Sequence, residues 1–325
     1  MKHHRVVVSR HGGPDVLRVV EEDIPEPQAG EVRVKVLAAG VSAYDLMFRR
    51  SGFLPGTPKV PFTLGEDIVG VVDKLGENVS TFEIGQMIAG ATWAIGFGGG
   101  YSEYICLPVS ELVPVPADVD PVEAVCVVVN YLTAYMAMHR TAQVQSGERV
   151  LIQGAAGGTG TALLELGKLA ELEMYGTASK RNHDLVSSLG ATPIDYRTED
   201  VVKRIHSLTG DGVDVVFDPI GGARQLWRSY KALNKGGCLV WFGVAATKKG
   251  VLMVIPFTLL TVFLMKLIPD GKQTPLAPDL SEDNAWYRET LIALLNLLAE
   301  GKIKPVVAER IPLSEAARAH ELLER

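Results

Sequence analysis

Cysteine is scarce in this chain: three residues, Cys106, Cys126 and Cys238, among 325. They are far apart, odd in number and form no CxxC pair, which excludes a disulfide framework and a cysteine metal clip. A reducing cytoplasm is the expected setting. The seven histidines (3, 4, 11, 139, 183, 206, 320) make no HxxxH pattern, so the helical zinc motif is missing too. No basic block occurs: Lys plus Arg is 32 against 38 Asp plus Glu, a net charge of −6. Nucleic acid is therefore not an expected partner. No apolar stretch follows Met1–Arg10 as a secretory leader requires. One apolar run, Val251–Met265, is uncharged for fifteen residues but contains Pro256. A spanning helix needs about 20 apolar residues, so a buried or pocket-covering helix is expected there rather than membrane insertion.

What is present suits a folded protein. Hydrophobic residues make up 47% and there are 33 glycines. At roughly 150 residues per domain the length fits about two domains. The first third reads as β-rich, with strands expected at Arg5–Ser9, Val16–Val20, Val32–Ala38, Ile68–Leu75 and Tyr101–Pro108. The middle third alternates. Strands are expected at Val150–Gln153, Met174–Ala178, Val213–Asp218 and Cys238–Gly243. Helices are expected at Ala162–Glu171, His183–Leu189 and Arg224–Leu233. Such alternation means a doubly wound parallel sheet. A long helix follows over Ala285–Glu300, then a strand at Val306–Ile311 and a last helix capped by Ser314. Asp118, Asp120 and Glu123 read as charge at a helix N-terminus, not as an acid–base pair. Gly96–Gly100 reads as a cleft loop or as a long turn.

Between the Val150–Gln153 strand and its helix lies Gly154-Ala155-Ala156-Gly157-Gly158-Thr159-Gly160. Glycines at intervals of three let a backbone turn tightly against a pyrophosphate. The helix start supplies free N–H groups and partial positive charge. Dinucleotide sheets for NAD carry an acidic residue at the end of the next strand. Here Met174–Ala178 runs into Ser179-Lys180-Arg181 instead. A hydroxyl and two cations suit a 2′-phosphate, so NADPH is the expected cofactor.

These motifs, with Gly12-Gly13-Pro14, Ala38–Ser42 and Asp45, Gly65-Glu66-Asp67, Gly100–Tyr104, Asn130–Tyr135, Leu189-Gly190-Ala191 and Asp211–Asp214, resemble the medium-chain dehydrogenase/reductase superfamily in its zinc-free quinone-oxidoreductase branch. The resemblance covers nearly the whole chain. It implies an α/β architecture in which a Rossmann domain (123–270) that binds NADPH is inserted into a GroES-like β-rich substrate domain (1–122 and 271–325). It places the active site in the cleft between them. It implies cofactor contacts from Asn130, Thr133, Ala156, Gly157, Gly158, Thr159, Gly160, Ser179, Lys180, Tyr196, Phe242 and Gly243. It also implies a homodimer joined at the sheet edge near Cys238–Gly243. Relatives continue past the final helix into a further strand, so an unpaired edge is expected in the β domain.

Zinc enzymes resembling this chain place ligands where Ser42, Glu66 and Val129 stand. These are not three good donors, and no metal is expected. Ser42 and Tyr44 are the catalytic candidates, as groups that orient a substrate carbonyl. Asp45 is expected to brace local backbone. The tyrosines that relatives carry further along the loop are replaced by Met47 and Leu54, which suggests a more apolar pocket. The resulting expectation is an NADPH-dependent, metal-free reductase of quinones or other α,β-unsaturated carbonyls. Two alternatives stand beside it: an enoyl-thioester reductase, with 251–268 covering an acyl chain, and a non-catalytic NADPH-binding scaffold associated with a membrane.

Overall fold

Val32 and Val34 are buried, while Arg33 and Lys35, which alternate with them, are not. That period of two makes a half-buried strand. It recurs through the first of two units seen in the computed structural model, Met1–Leu132 with Leu280–Arg325. The structure describes residues 1–51, 57–93, 98–243, 251–275 and 283–324, with 251–255 described by backbone alone. Leu54 and Gly96-Phe97 of the sequence reading fall outside the described residues.

The strands of this unit are β1 (Lys2–Val8), β2 (Leu17–Asp23), β3 (Glu31–Ala39), β4 (Phe62–Thr63), β5 (Asp67–Leu75), β6 (Met87–Ala91), β7 (Tyr104–Pro108) and β8 (Leu112–Pro114). They form a three-stranded sheet ordered β2-β1-β4 and a five-stranded sheet ordered β7-β3-β5-β6-β8. All of their pairings are antiparallel. Helix α1 (Ala43–Arg50) follows β3, and α2 (Pro121–Cys126) opens a helical run. Asp120 caps α2 by accepting from Val122 N at 2.8 Å, which bears out a helix-start role for that acidic group. The run continues through wide-turned segments Val127–Tyr131 and Met136–Ala142 on either side of α3 (Leu132–Tyr135). At 22 residues it is long and apolar enough to cross a membrane. Its buried Ala124, Val125, Val127, Val128 and Leu132 show why: it is a core helix.

The second unit is Thr133–Asp279. Its strands are β9 (Arg149–Ile152), β10 (Glu173–Ala178), β11 (Thr192–Asp195), β12 (Val213–Asp218) and β13 (Leu233–Trp241). They pair in parallel in the order β11-β10-β9-β12-β13. The helices between them are α4 (Gly158–Leu169), α5 (His183–Ser188), α6 (Val201–Thr209) and α7 (Ala223–Ala232). This is the expected doubly wound sheet. The strand order reverses direction between β9 and β12, and the carboxyl ends of strands at such a point form a crevice for ligands. Leu151, Ile194, Val216, Leu226 and Leu239 fill one side of the sheet.

Helix α8 (Val251–Lys266) is only half the buried helix the sequence suggests. Thr258, Thr261 and Met265 are buried, and Val262 packs on the core. Phe257 is 66% exposed, Phe263 59% and Leu260 52%. The sheet edge expected to meet a partner is also partly taken by the chain itself. Gln273 N donates to Gly237 O, and Leu239 N donates to Gln273 O, both at 2.9 Å.

The last elements return to the first unit: α9 (Asn284–Ala299), ended by Gly301 at φ +68°, and α10 (Ala316–Leu323). Two expectations fail here. Val306–Ile311 forms no strand with any of the described residues. It lies between Pro305 and Pro312, Val306 is exposed, and Glu309 and Arg310 are held by Arg318 and Asp120. Ser314 is no cap either. It sits inside a 3-10 turn, Leu313–Glu315, ahead of α10.

Candidate active site

In the first unit the site is built around the start of α1. Ser42 caps this helix reciprocally. Its Oγ accepts from Tyr44 N (3.1 Å) and Asp45 N (3.3 Å), and its own N–H donates to Asp45 Oδ2 (2.8 Å). A capping box satisfies two orphan donors at once. The Ser42 hydroxyl also donates to Glu66 Oε1 at 2.5 Å. Asp45 braces backbone as expected: Oδ1 accepts from Gly65 N at 2.9 Å. Gly65 has φ +95°, and a Cβ there would meet Tyr101 N at 2.8 Å, so only glycine fits this turn. Tyr101 OH donates to Asp45 Oδ2 and faces His320 Nε2, each at 3.2 Å. Asp67 Oδ1 accepts from Gly40 N at 2.9 Å.

Three carboxyls, Asp45, Glu66 and Asp67, are thus buried together. Burial favours the neutral acid, and like charges add to this. Burial, then the Asp45 charge, pushes Glu66 up to about 7 against hydrogen bonds from Ser42 and Trp93. Burial, then Glu66 and Asp45, holds Asp67 well above the usual carboxylate range. Asp45 is raised by burial against its own hydrogen bonds. Burial, then Arg49, lowers His320 to about 4, so its ring is neutral at pH 7. Tyr44 is 44% exposed and its ring packs along Phe48 in α1. Asn130 is half-buried in the segment before α3.

Tyr101, His320 and the carboxyl of Glu66 are members that sequence reasoning missed. The Gly100–Tyr104 motif signalled the first only as a resemblance. The Gly65-Glu66-Asp67 motif signalled Glu66 in the same way, as a position where zinc relatives place a ligand, and His320 carries no local signal.

In the second unit the glycine loop leaves β9 at the strand reversal. Gly154 turns at φ +64°. Its N–H donates to Thr177 Oγ1 at 3.0 Å, and Gly157 N donates back to Gly154 O at 2.9 Å. A Cβ on Gly160 would lie 2.4 Å from Gly154 O, so the third glycine lets helix meet strand. No side chain caps α4 at Gly157, and Gly157 and Gly158 are exposed. Ala156 and Thr159 line the same turn, half-buried.

Ser179, buried, follows β10, and Lys180 beside it is exposed. Ala178 pairs with Asp195, so the ends of β10 and β11 carry Ser179 and Tyr196 as neighbours. Tyr196 is exposed, with the Arg197 guanidinium 5.7 Å from its ring centre. A cavity of about 230 Å³ is lined by Gly154, Thr177, Tyr196 and Arg228 among others. Phe242 N donates to Asp218 O at 3.2 Å, and a Cβ on Gly243 would lie 2.5 Å from Pro219 O. Thr133, half-buried in α3, begins this unit. An open, uncapped glycine turn at the strand reversal fits the pyrophosphate of a dinucleotide.

The donor set does not fit zinc. Ser42 offers only a neutral hydroxyl, and Val129 has no donor atom in its side chain. Among the described residues no three His, Cys, Asp or Glu side chains are placed to hold a metal.

Comparison with known proteins follows the same lines. Residues 28–117 match the model of the alcohol dehydrogenase GroES-like domain, and 189–325 that of zinc-binding dehydrogenase. The crystal structure of a quinone oxidoreductase from Pseudomonas syringae pv. Tomato is 31% identical, with a TM-score of 0.85 over 99% of this chain and 96% of that one. This chain belongs to the medium-chain dehydrogenase/reductase superfamily. Within it the chain falls in the quinone oxidoreductase-like branch, and the family binds a nicotinamide dinucleotide. The structure of CurK enoyl reductase is similar at 26% identity and TM-score 0.82, over 99% and 96% of the two chains. A synaptic vesicle membrane protein VAT-1 homolog from Danio rerio is 28% identical over 98% of this chain, which spans 66% of that protein's length.

Proposed function

We propose that this chain is an NADPH-dependent, metal-free reductase of quinones or other α,β-unsaturated carbonyls that works in the cytoplasm. The observation that carries the reading is the end of β10. Ser179 and Lys180 stand there where an NAD site places a carboxylate, beside the open glycine turn of α4. When bound, the cofactor supplies hydride. The chain's own residues do the rest. The backbone of Gly157–Gly160 receives the pyrophosphate, and Ser179 and Lys180 hold the 2′-phosphate. Asn130, Thr133, Phe242 and Gly243 orient the nicotinamide, and Ser42 orients the substrate oxygen. Holding both reactants in one geometry removes most of the entropic barrier to such a transfer.

The exposed apolar face of α8 favours a second reading, in which the acceptor is an enoyl thioester with a long acyl chain. CurK, whose structure this chain resembles, is an enoyl reductase. The homodimer implied by resemblance remains part of the proposal. The pairing of Gln273 covers part of the β13 edge that such a dimer would use.

The test is NADPH oxidation by purified protein with a panel of quinones, enones and enoyl thioesters, NADH run alongside and a strong chelator added. Turnover that prefers NADPH and survives chelation is expected. Inhibition that added zinc reverses defeats the metal-free reading. Tight NADPH binding without turnover on any acceptor defeats the reductase reading in favour of a scaffold.

A further inference from the structure

Reduction of a conjugated carbonyl consumes a proton as well as a hydride, and the proposed mechanism names no source for it. Three buried carboxyls lie near Ser42, and they differ in what they hold. Asp45 accepts from two backbone N–H groups and Tyr101. Asp67 accepts from Gly40 N. Both brace the chain. Glu66 accepts from a hydroxyl on a partly exposed residue, Ser42 Oγ, at the short distance of 2.5 Å. Glu66 is 7% exposed, and of the side chains bonded to it, Ser42 and Trp93, the serine hydroxyl can both accept and pass on a proton.

We propose that Glu66 is the proton store of this reductase and that Ser42 carries its proton to the reduced substrate. The proposal rests on the reductase reading. Hydride at the β-carbon forms a C–H bond, and the C=C electron pair shifts to leave negative charge on the carbonyl oxygen. With Glu66 protonated, its O–H donates to Ser42 Oγ across the same contact; the serine hydrogen then faces the carbonyl oxygen, which takes it as the Ser42 O–H bond breaks. Ser42 Oγ takes the carboxyl proton of Glu66 in turn. Glu66 ends as a carboxylate and is reprotonated from water before the next turnover. The substrate has gained two electrons and two hydrogens. Ser42 touches the reacting atoms. Glu66 acts through it and is a positioning and proton-holding residue.

The surroundings set when Glu66 holds its proton. It faces Asp45 from α1, Asp67 beside it at the start of β5, and Trp93 after β6. Tyr101 lies beyond Asp45, with His320 of α10 and Arg49 of α1 behind it, and Cys126 of α2 faces Asp67. The carboxylates favour the protonated form, and the ring of His320 is neutral and adds no opposing charge. A store that titrates near the working pH is the efficient arrangement for general acid catalysis.

The experiment has two arms. In the first, kcat is followed against pH with saturating NADPH and acceptor. Wild type loses activity above about pH 7, with KM nearly constant. Glu66→Gln falls about 100-fold and loses that pH limb. Ser42→Thr, which keeps both hydroxyl and cap, retains the limb. In the second, the infrared band of a protonated carboxyl is titrated in protein without cofactor. A band disappearing between about pH 6 and 8 and missing from Glu66→Gln is expected. A wild-type pH profile in Glu66→Gln overturns the relay, and so does turnover without the band. A band without turnover on any acceptor overturns the reductase reading, and the relay with it.

Discussion

The two functional regions are built from opposite materials. The glycine loop is backbone: N–H groups opened by Gly154, Gly157 and Gly160, in seven consecutive residues. The acid cluster is side chains: Ser42, Asp45, Glu66, Asp67, Tyr101 and His320, gathered from α1, β5, two loops and α10. A backbone site depends on shape, and at Gly160 it has no room for an added atom. A side-chain site depends on protonation and is tuned by its neighbours. The two therefore fail in different ways, and substitutions can tell them apart.

The largest effect is expected in the acid cluster and should follow pH. Glu66 has its folded pKa raised from 4.5 to about 7. A raised carboxyl supports the fold fully below its unfolded pKa, and that support is lost as pH rises through the folded one. Wild type should therefore lose on the order of 3 kcal/mol between about pH 4.5 and 8, at 1.36 kcal/mol per pK unit. Glu66→Gln has no proton to lose and should not show this fall. Denaturant midpoints at low and high pH give the difference directly. A parallel decline in both proteins would mean that Asp67 or Asp45, not Glu66, carries the titration.

The loop should fail with no pH dependence. A side chain at Gly160 needs the space of Gly154 O, 2.4 Å from an added Cβ. Gly160→Val should cost about 2 kcal/mol of stability, as overpacking does, and should weaken NADPH and NADH alike. Calorimetry with both cofactors checks this. A selective loss of one would place Gly160 near the ribose rather than beneath the pyrophosphate.

Lys180→Ala sharpens the contrast inside the cofactor site itself. The exposed Lys180 ammonium has only the 2′-phosphate to distinguish the two cofactors. NADPH binding should weaken about tenfold, or 1.4 kcal/mol, while NADH binding hardly changes. Equal losses would refute the 2′-phosphate role. Added salt should narrow the difference, because the contact is at the surface.

The same contrast explains what the sequence disclosed. The loop was legible because its chemistry is local: a strand, three spaced glycines and a helix are read within twenty residues. The β10 ending was legible for the same reason. The cluster was not, because residues 45, 66, 101 and 320 meet only after the β-rich unit folds. Helix α8 was half-read. Its apolarity predicts burial, yet with apolar residues on every side it has no polar face to mark which side meets water. Val306–Ile311 has the residues of a strand, but a strand needs a partner, and prolines at both ends with ion-paired Glu309 and Arg310 leave it none.

The smallest effect compares two serines that look alike in sequence. Both Ser42 and Ser314 precede a helix. Ser42 bonds the backbone N–H groups of Tyr44 and Asp45, and Asp45 returns the bond. Ser314 lies within a turn and caps nothing. Loss of a serine cap costs about 1 kcal/mol, and exposed serines elsewhere cost a few tenths at most. Ser42→Ala should therefore lower the unfolding free energy by about 1 kcal/mol, with Ser314→Ala close to wild type. The Ser42→Ala loss should also depend on pH, because it removes a hydrogen bond that favours the ionised form of Glu66. Without it Glu66 titrates higher, and the loss should be larger at pH 8 than at pH 5. A loss equal at both values would mean that the hydroxyl serves the helix alone and that Glu66 does not sense it.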